Sequence, residues 1–161
     1  MSGYCRSNKQ FIIARHNRVK HHLTRLLTER NFLCFEEVHG YDANHSNRFI
    51  DIVAIESNGT RAFLVDPTVR YETNADNQDN AVQTEKASIY NDCIAFYKDK
   101  YSYLGQKEWE VRGLWFGARG TLGQSTIDFF ELLKLDSNEL VKIANNVLID
   151  TVNIIHKHIY F

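Results

Sequence analysis

Two aspartates stand inside apolar segments of the chain, where a carboxylate needs a partner. Asp51 interrupts the β-branched segment Arg48–Glu56, and Asp66 follows the apolar residues 63–65. A carboxylate is costly to bury in a strand unless it is paired, hydrogen-bonded or bound to a metal ion. An Asn-Gly turn signal at residues 58–59 predicts a hairpin between the two segments, and both aspartates lie at nearly equal distances from it. We therefore expect them to be cross-strand neighbours.

Two neighbouring carboxylates repel each other, and a divalent cation would relieve that repulsion. Oxygen ligands suit Mg²⁺, with Mn²⁺ as the expected substitute. In this interpretation Asp51 and Asp66 hold the ion, helped by the backbone carbonyl of Pro67. The alternative is that each aspartate forms a structural salt bridge with Arg48, Arg61 or Arg70.

Metal-dependent hydrolysis of a phosphodiester also needs a cation near the developing negative charge. In the common nuclease pattern, a lysine follows the second acid by two residues on the same face of the strand, but Thr68 occupies that position here. Arg70 lies two residues further along the same face. It could steer the scissile phosphate, although a guanidinium is a poor general base because it stays protonated.

Lys86 is the better candidate for the missing cation. It shares one side of a predicted helix with Val82 and Ile89, so its amine is expected near the core side. The adjacent Glu85 could add a carboxylate near the metal or orient Lys86. The alternative is that Lys86 only extends past the apolar stripe into solvent.

The periodicity of apolar residues predicts a mixed α/β chain. The predicted elements are a helix over 15–30, strands over 32–38, 48–56 and 61–70, a helix over 81–98, a strand over 109–116, a helix over 127–134 and a last helix from 137. A small mixed sheet flanked by helices in the order α-β-β-β-α-β-α-α matches the restriction-endonuclease core. We expect residues 1–13 to be an N-terminal lead-in and residues 14–161 to form one domain.

The last helix is expected to turn one apolar stripe towards the core. The predicted inward residues are Leu140, Ala144, Val147, Leu148, Thr151 and Ile155.

Composition and charge narrow the class of protein. The net charge of −1 argues against a chain that coats nucleic acid through bulk charge alone. The three cysteines are far apart, which predicts neither a zinc site nor a disulfide framework and is typical of a reducing intracellular compartment. The apolar stretches are too short for a membrane span.

Several segments together resemble a known family, the restriction-like endonuclease domain of site-specific non-LTR retrotransposons. The matching segments, in chain order, are Arg15-His16-Asn17, Glu36-Glu37-Val38-His39, Asn47-Arg48 through Asp51-Ile52, Asp66-Pro67-Thr68-Val69-Arg70-Tyr71-Glu72, Glu85-Lys86 with Tyr90, and Gly117-Ala118-Arg119-Gly120-Thr121. They span most of the chain, and DPTVRYE is the most specific of them. The chain departs from the family in having Ile50 before the first acid and only Cys5 where an upstream zinc knuckle is usual.

The resemblance implies a PD-(D/E)xK-type hydrolase that nicks chromosomal DNA in the nucleus, so that reverse transcription is primed from the new 3′ end. Asp51 matches the first acid and Asp66 the second, while Lys86 matches a lysine that has moved from the strand to the following helix. The implied cofactor is Mg²⁺, and the implied partners are DNA and a reverse transcriptase domain.

Four further residues are candidates for DNA contact, and one is a candidate metal ligand. The DNA-binding candidates are Arg15, His16, Arg48 and Arg119, the last in a glycine-rich loop whose amides are expected to be exposed. A structural turn is an equal alternative for that loop, and a structural role is an alternative for His16. Glu37, at the end of the first strand, could supply a further carboxylate to the metal or be an exposed strand-end charge.

Three functions therefore remain open. The first is a Mg²⁺-dependent DNA endonuclease. The second is a nucleic-acid-binding domain that keeps the fold without cleaving, which the threonine at position 68 favours. The third is a nuclease that resolves branched DNA, which would share the same core and differ in the shape of its substrate.

Overall fold

The computed structural model describes residues 8–160 and contains nine main helices and strands within that range. They are α1 (Lys9–Glu29), β1 (Phe32–Tyr41), β2 (Asn47–Glu56), β3 (Arg61–Arg70), α2 (Gln78–Tyr90), α3 (Ile94–Lys100), β4 (Glu108–Gly117), α4 (Gln124–Leu132) and α5 (Ser137–Tyr160). Short 3-10 turns at Asn91–Cys93 and Ser102–Leu104 flank α3. The predicted mixed α/β fold and its order of elements are confirmed.

The four strands form one sheet in the order β1-β2-β3-β4. The first three are antiparallel neighbours, and β4 lies parallel to β3 after a crossover through α2 and α3. The Asn-Gly turn makes the expected hairpin, since Ile55 of β2 pairs with Ala62 of β3. Parallel pairing at one edge follows from the connection, because a crossover returns the chain in the same direction.

Apolar side chains form two cores, one on each face of the sheet. On one face, α1, α4 and α5 pack around residues such as Leu23, Phe116 and Phe129. On the other face, α3 and its flanking turns pack Cys93 and Tyr97 against the sheet. The sheet is therefore covered on both sides, which explains why the central strands are apolar at successive positions.

Several boundaries differ from the sequence-based expectations, most of all in the first two helices. Helix α1 begins at Lys9, so residues 9–13 of the expected lead-in are helical, while residues 1–7 lie outside the described range. The helix expected over 81–98 is interrupted at Asn91–Cys93 by a 3-10 turn.

The inner stripe predicted for α5 was wrong at two positions. The buried residues of this helix are Leu140, Ile143, Ala144, Val147, Thr151 and Ile154. Leu148 and Ile155 are instead 39% and 42% exposed. A different stripe of α5 is buried, because α5 packs on α1 and α4 through its Leu140–Val147–Ile154 side.

Within the described range, no helix combines the length and the apolar character needed to cross a membrane. Cys34 and Cys93, the two cysteines in that range, are free thiols.

Candidate functional site

Asp51 and Asp66 lie next to each other at the point where two strands separate. The ladder between β2 and β3 ends at the pair Ile52–Val65, and one further step of the same register aligns Asp51 with Asp66. Their side chains are 22% and 6% exposed. Both line an open pocket of about 360 Å³, together with the Pro67 segment and the first turns of α1. The expected acidic pair therefore exists as a geometric unit.

Lys86 reaches this pocket from α2. Its Nζ lies 3.2 Å from Oδ2 of Asp66, and its side chain is only 15% exposed. The amine thus points at the acidic pair. It does not extend into solvent, which was the alternative. Thr68, at the usual lysine position, donates a hydrogen bond of 3.3 Å from Oγ1 to Oδ1 of Asp66.

Gly113 is what allows the Lys86 stem to cross strand β4. Gly113 pairs with Asp66 in the parallel ladder between β3 and β4. A Cβ atom at Gly113 would lie 2.7 Å from Cγ and 2.8 Å from Cβ of Lys86. Such distances are well inside van der Waals contact, so the lysine reaches Asp66 only because this strand position has no side chain.

The amide side chain of Gln83 holds α2 against the edge strand. Its Nε2 donates to the Val111 carbonyl at 3.0 Å, and its Oε1 accepts from the Gly113 amide at 2.6 Å. These bonds satisfy backbone groups of an edge strand that would otherwise lack partners. The same pair of bonds sets the position of α2 one turn before Lys86.

Burial and two neighbouring charges shift the pKa of Asp66. Desolvation raises the pKa of Asp66, the Lys86 ammonium opposes this shift, and the Asp51 carboxylate adds to it. Tyr90 also lies close to this carboxylate, and its hydroxyl donates to the Phe49 carbonyl at 2.9 Å. Burial and the two aspartates raise the pKa of Tyr90, so its phenol stays protonated.

His16 stands between two of the expected metal ligands. Its Nε2 lies 3.1 Å from Oδ2 of Asp51 and 3.1 Å from the Pro67 carbonyl oxygen. The hydrogen bond to Asp51 raises the pKa of His16, although burial opposes that shift. The imidazole therefore faces the same two oxygens that a divalent cation would use.

The donor set fits a hydrated Mg²⁺ ion. In the described part of the chain, no group of three or more His, Cys, Asp or Glu side chains could by itself hold a metal ion. Mg²⁺ does not need such a group, because it keeps several waters and binds through one or two carboxylates. Asp51, Asp66 and the Pro67 carbonyl supply three oxygens around an open pocket. With water, these oxygens can complete an octahedral shell.

Two predicted catalytic residues pair with each other instead of lining the pocket. Arg70 donates from Nη1 and Nη2 to the two carboxylate oxygens of Glu85 at 2.8 and 2.6 Å. This bidentate pair lowers the pKa of Glu85. The expectation that Glu85 joins the metal or orients Lys86 therefore has no support in the geometry, and neither residue belongs to the pocket lining.

Glu37 binds a lysine of α1 and does not line the pocket. It lies across the sheet from Asp51, since its neighbours Glu36 and Val38 pair with Ile52 and Ile50. However, Glu37 adopts a φ of 51°, and its carboxylate accepts a 2.6 Å bond from the buried Lys20. A residue that far into the left-handed region breaks the regular alternation of side chains. Its predicted role as a metal ligand is not supported.

Two of the three arginines predicted to contact DNA bind other parts of the protein. Arg15 borders the pocket, but it is 7% exposed and its Nη1 donates to Thr151 of α5 at 2.7 Å. Arg48 pairs with Asp42 in the turn between β1 and β2 at 3.0 Å. Of the predicted set, only His16 contacts the acidic pair directly.

Arg119 belongs to a closed turn. The carboxylate of Glu72 accepts from the Arg119 amide at 3.0 Å and from the Thr121 amide at 3.3 Å. A Cβ atom at Gly117 would collide with the same carboxylate, so glycine there makes room for it. The expectation of exposed amides in this loop was wrong, and the structural turn is the better description, although the Arg119 side chain itself is exposed.

Gly113 and Gln83 support the site but are not recognisable as functional in the sequence, whereas Tyr90 belongs to one of the segments that carry the family resemblance. A glycine inside the apolar strand is the one available signal, because glycine in a strand often marks a close approach of another element. Gln83 lies one turn before Lys86 on α2, but a glutamine on a helix surface has no distinguishing pattern.

Comparisons with known proteins find one similar structure and no family. The chain matches no family model, and no curated protein is similar to it in sequence. Among solved structures, it is similar to the crystal structure of a protein of unknown function, AF1548, with 14% identity and a TM-score of 0.43. The alignment covers 75% of this chain and 62% of that protein, so this chain spans less than two thirds of it.

Proposed function

We propose that this chain is a Mg²⁺-dependent DNA endonuclease. The observation that carries the proposal is the Lys86 amine, 3.2 Å from Asp66, in a pocket that it shares with Asp51 and the Pro67 carbonyl. Two acids and a carbonyl suit a hydrated Mg²⁺ ion, and an amine beside them can stabilise negative charge that develops on a phosphate. The two acids are held by adjacent strands and the amine by a helix docked on the sheet, so rigid elements position all three.

Each residue has a distinct task in the proposed reaction. Asp51, Asp66 and the Pro67 carbonyl would hold the cation, which would supply activation of a water and stabilisation of charge on the phosphate. Lys86 presents its positive charge beside these ligands, where it orients the attacking water and stabilises the pentacoordinate phosphorus. Hydrolysis that leaves a 3′ hydroxyl breaks the bond between phosphorus and O3′.

The substrate and the setting rest on the family resemblance. A nuclear enzyme that nicks target DNA would provide the 3′ hydroxyl from which a partner reverse transcriptase domain copies RNA. The run DPTVRYE, which contains Asp66 and Pro67, is the most specific support for this part of the proposal.

A plasmid-nicking assay in Mg²⁺ or Mn²⁺ tests the proposed activity. We expect Asp51→Asn, Asp66→Asn and Lys86→Ala each to lower the nicking rate by about 10²–10³-fold, the usual cost of removing one group that stabilises the transition state. Lys98→Ala and Asp128→Asn, which alter exposed charges on α3 and α4, should nick like the unmodified protein. Nicking that survives Asp51→Asn and Asp66→Asn would rule out this site.

A nucleic-acid-binding domain without cleavage is the second candidate. It is favoured by the direct contact of Lys86 with Asp66, which already places a cation on the more buried acid. Titration calorimetry separates the two functions, since an endonuclease must take up Mg²⁺ or Mn²⁺ in a manner that Asp66→Asn removes. A chain that binds DNA and shows no such uptake belongs to the second class.

A further inference from the structure

Helix α5 carries a second apolar stripe that the rest of the described chain leaves uncovered. One side of the helix, which includes Leu140, Val147 and Ile154, packs on the body. On another side, five aliphatic residues are between 39% and 64% exposed. They are Val141, Leu148, Val152, Ile155 and Ile159. A monomeric protein rarely leaves so many aliphatic side chains aligned in water.

The spacing of this stripe is that of a coiled-coil seam. With the exposed Asn145 included, the positions 141, 145, 148, 152, 155 and 159 alternate in steps of four and three residues. This repeat of 3.5 residues assigns Asn145, Val152 and Ile159 to the a positions of a heptad. Val141, Leu148 and Ile155 then occupy the d positions.

The two stripes of α5 are compatible with each other. At 100° per residue they are centred about a third of a turn apart round the helix. The residues that hold α5 on its own body therefore remain buried when another helix approaches the exposed seam. Residues 155–160 are all exposed, and Lys157 lies over the Phe11 ring of α1, so the seam side of the last turns is open to a neighbour.

We propose that two copies of the chain pair in parallel along α5, through the seam formed by residues 141–159. Val152 at an a position beside Leu148 at a d position is the arrangement that favours two strands, and the single asparagine at an a position specifies the register of the pair. In such a pair Asn145 meets Asn145 of the other copy, and each amide can donate to and accept from its counterpart. A membrane or an unrelated apolar groove would have no use for that asparagine.

Helix formation and charge do not oppose this pairing. Contacts with α1 and α4 already hold α5 in its helical form, so pairing does not have to order it. In a parallel pair, g and e residues flank the seam. The g residues Ala144 and Thr151 are uncharged and stay buried against the body, so they form no like-charged pair with the e residues of the other helix.

Light scattering after gel filtration of the full chain tests the pairing. We expect a mass of twice the 18.8 kDa of one chain at micromolar concentrations. Leu148→Lys and Val152→Lys should each return the mass to that of one chain, with unchanged circular dichroism, because both side chains are already exposed. Asn153→Lys, on the same helix but off the seam, is the matched control and should remain a dimer. A single-chain mass for the unmodified protein across this range would overturn the proposal.

Cysteine cross-linking tests the parallel register. Under mild oxidation, Asn145→Cys should yield a covalent dimer, because only a parallel pair in register brings residue 145 against its own copy. Asn153→Cys should yield no more than the unmodified protein, whose own cysteines set the background. A dimer that does not cross-link through position 145 would overturn the parallel arrangement. Neither experiment depends on nuclease activity, so the outcome is independent of the proposed function.

Discussion

Gly113 determines how closely Lys86 can approach Asp66. The glycine lies beside Asp66 in the sheet, and the stem of Lys86 passes over it at a distance that leaves no room for a side chain. The acid itself is buried and would favour its neutral form without a nearby cation. The charge state of the site therefore depends on an uncharged residue that positions the lysine.

Gly113→Ala should displace Lys86 and destabilise the protein. Overpacking of this kind typically costs about 1–3 kcal/mol of unfolding free energy, because the neighbour must shift. We expect nicking to fall as well, since the amine moves away from Asp66. Urea unfolding and the nicking assay measure the two effects.

The same substitution in a Lys86→Ala background provides the control. Lys86→Ala removes Cγ and the rest of the stem, so the destabilisation caused by Gly113→Ala should be smaller there. Residues in direct contact commonly show coupling energies of about 0.5–3 kcal/mol in such cycles. Equal costs in both backgrounds would show that the lysine stem does not occupy this space.

At the scale of elements, one carboxylate of α5 binds two residues of α1. Glu139 of α5 accepts a bond from Lys142 at 2.7 Å, from His22 of α1 at 2.6 Å and from Arg25 of α1 at 2.9 Å. The hydrogen bond from Lys142 has the largest effect, and together the three partners lower the pKa of Glu139 to about 2. The helix that carries the proposed dimer seam is thus linked to the helix that carries His16.

Glu139→Gln should weaken the protein at neutral pH and lose this effect in acid. The folded pKa of about 2 lies below the ordinary value of 4.5, so the carboxylate stabilises the fold fully above pH 4.5. That contribution is lost as the pH falls towards 2. The difference in stability between the variant and the unmodified protein should therefore be largest above pH 4.5 and shrink below it.

Urea unfolding above pH 4.5 and at several pH values between 4.5 and 2 measures this difference in stability. Glu131→Gln, which removes an exposed carboxylate from α4, is the control and should change little. A difference that stays constant down to pH 2 would contradict the assignment of the shift to Glu139.

At the scale of the whole molecule, the candidate site lies where helices on both faces can reach the same gap. The β2–β3 ladder ends one residue before the aspartates, and this separation opens the pocket. His16 enters it from α1, which packs on one core, and Lys86 enters from α2, which runs along the edge strand. A cation bound in the pocket would therefore connect parts of the molecule that are distant in sequence.

Mg²⁺ or Mn²⁺ should raise the melting temperature of the protein. A ligand that binds only the folded state adds about 2.7 kcal/mol of stability when its concentration is a hundredfold above its dissociation constant. Differential scanning fluorimetry over a range of metal concentrations measures the shift. Asp66→Asn should abolish it, whereas Asp128→Asn should retain it. An equal rise in both variants would place the ion elsewhere.

Local rules explain which parts of the site the sequence predicts. Alternation along a strand and a short Asn-Gly hairpin determine register, so Asp51 and Asp66 could be aligned by counting from the turn. The helical period likewise predicts that Lys86 shares a side with Val82. Arg70 and Glu85 could not be assigned in this way, because their pairing depends on the distance between α2 and the end of β3.

The acidic pair was predictable from the sequence, whereas the buried side of α5 was not. The sequence alone determined the order of elements and the register of the acidic pair, since both follow from contacts between neighbouring segments. For α5 it specified two apolar stripes of similar period, with no indication of which one faces the body. Only the packing of α5 on α1 and α4 decided that Val147 is buried and Leu148 exposed. The physical reason is that periodicity describes a helix surface, whereas burial depends on what the fold brings against it.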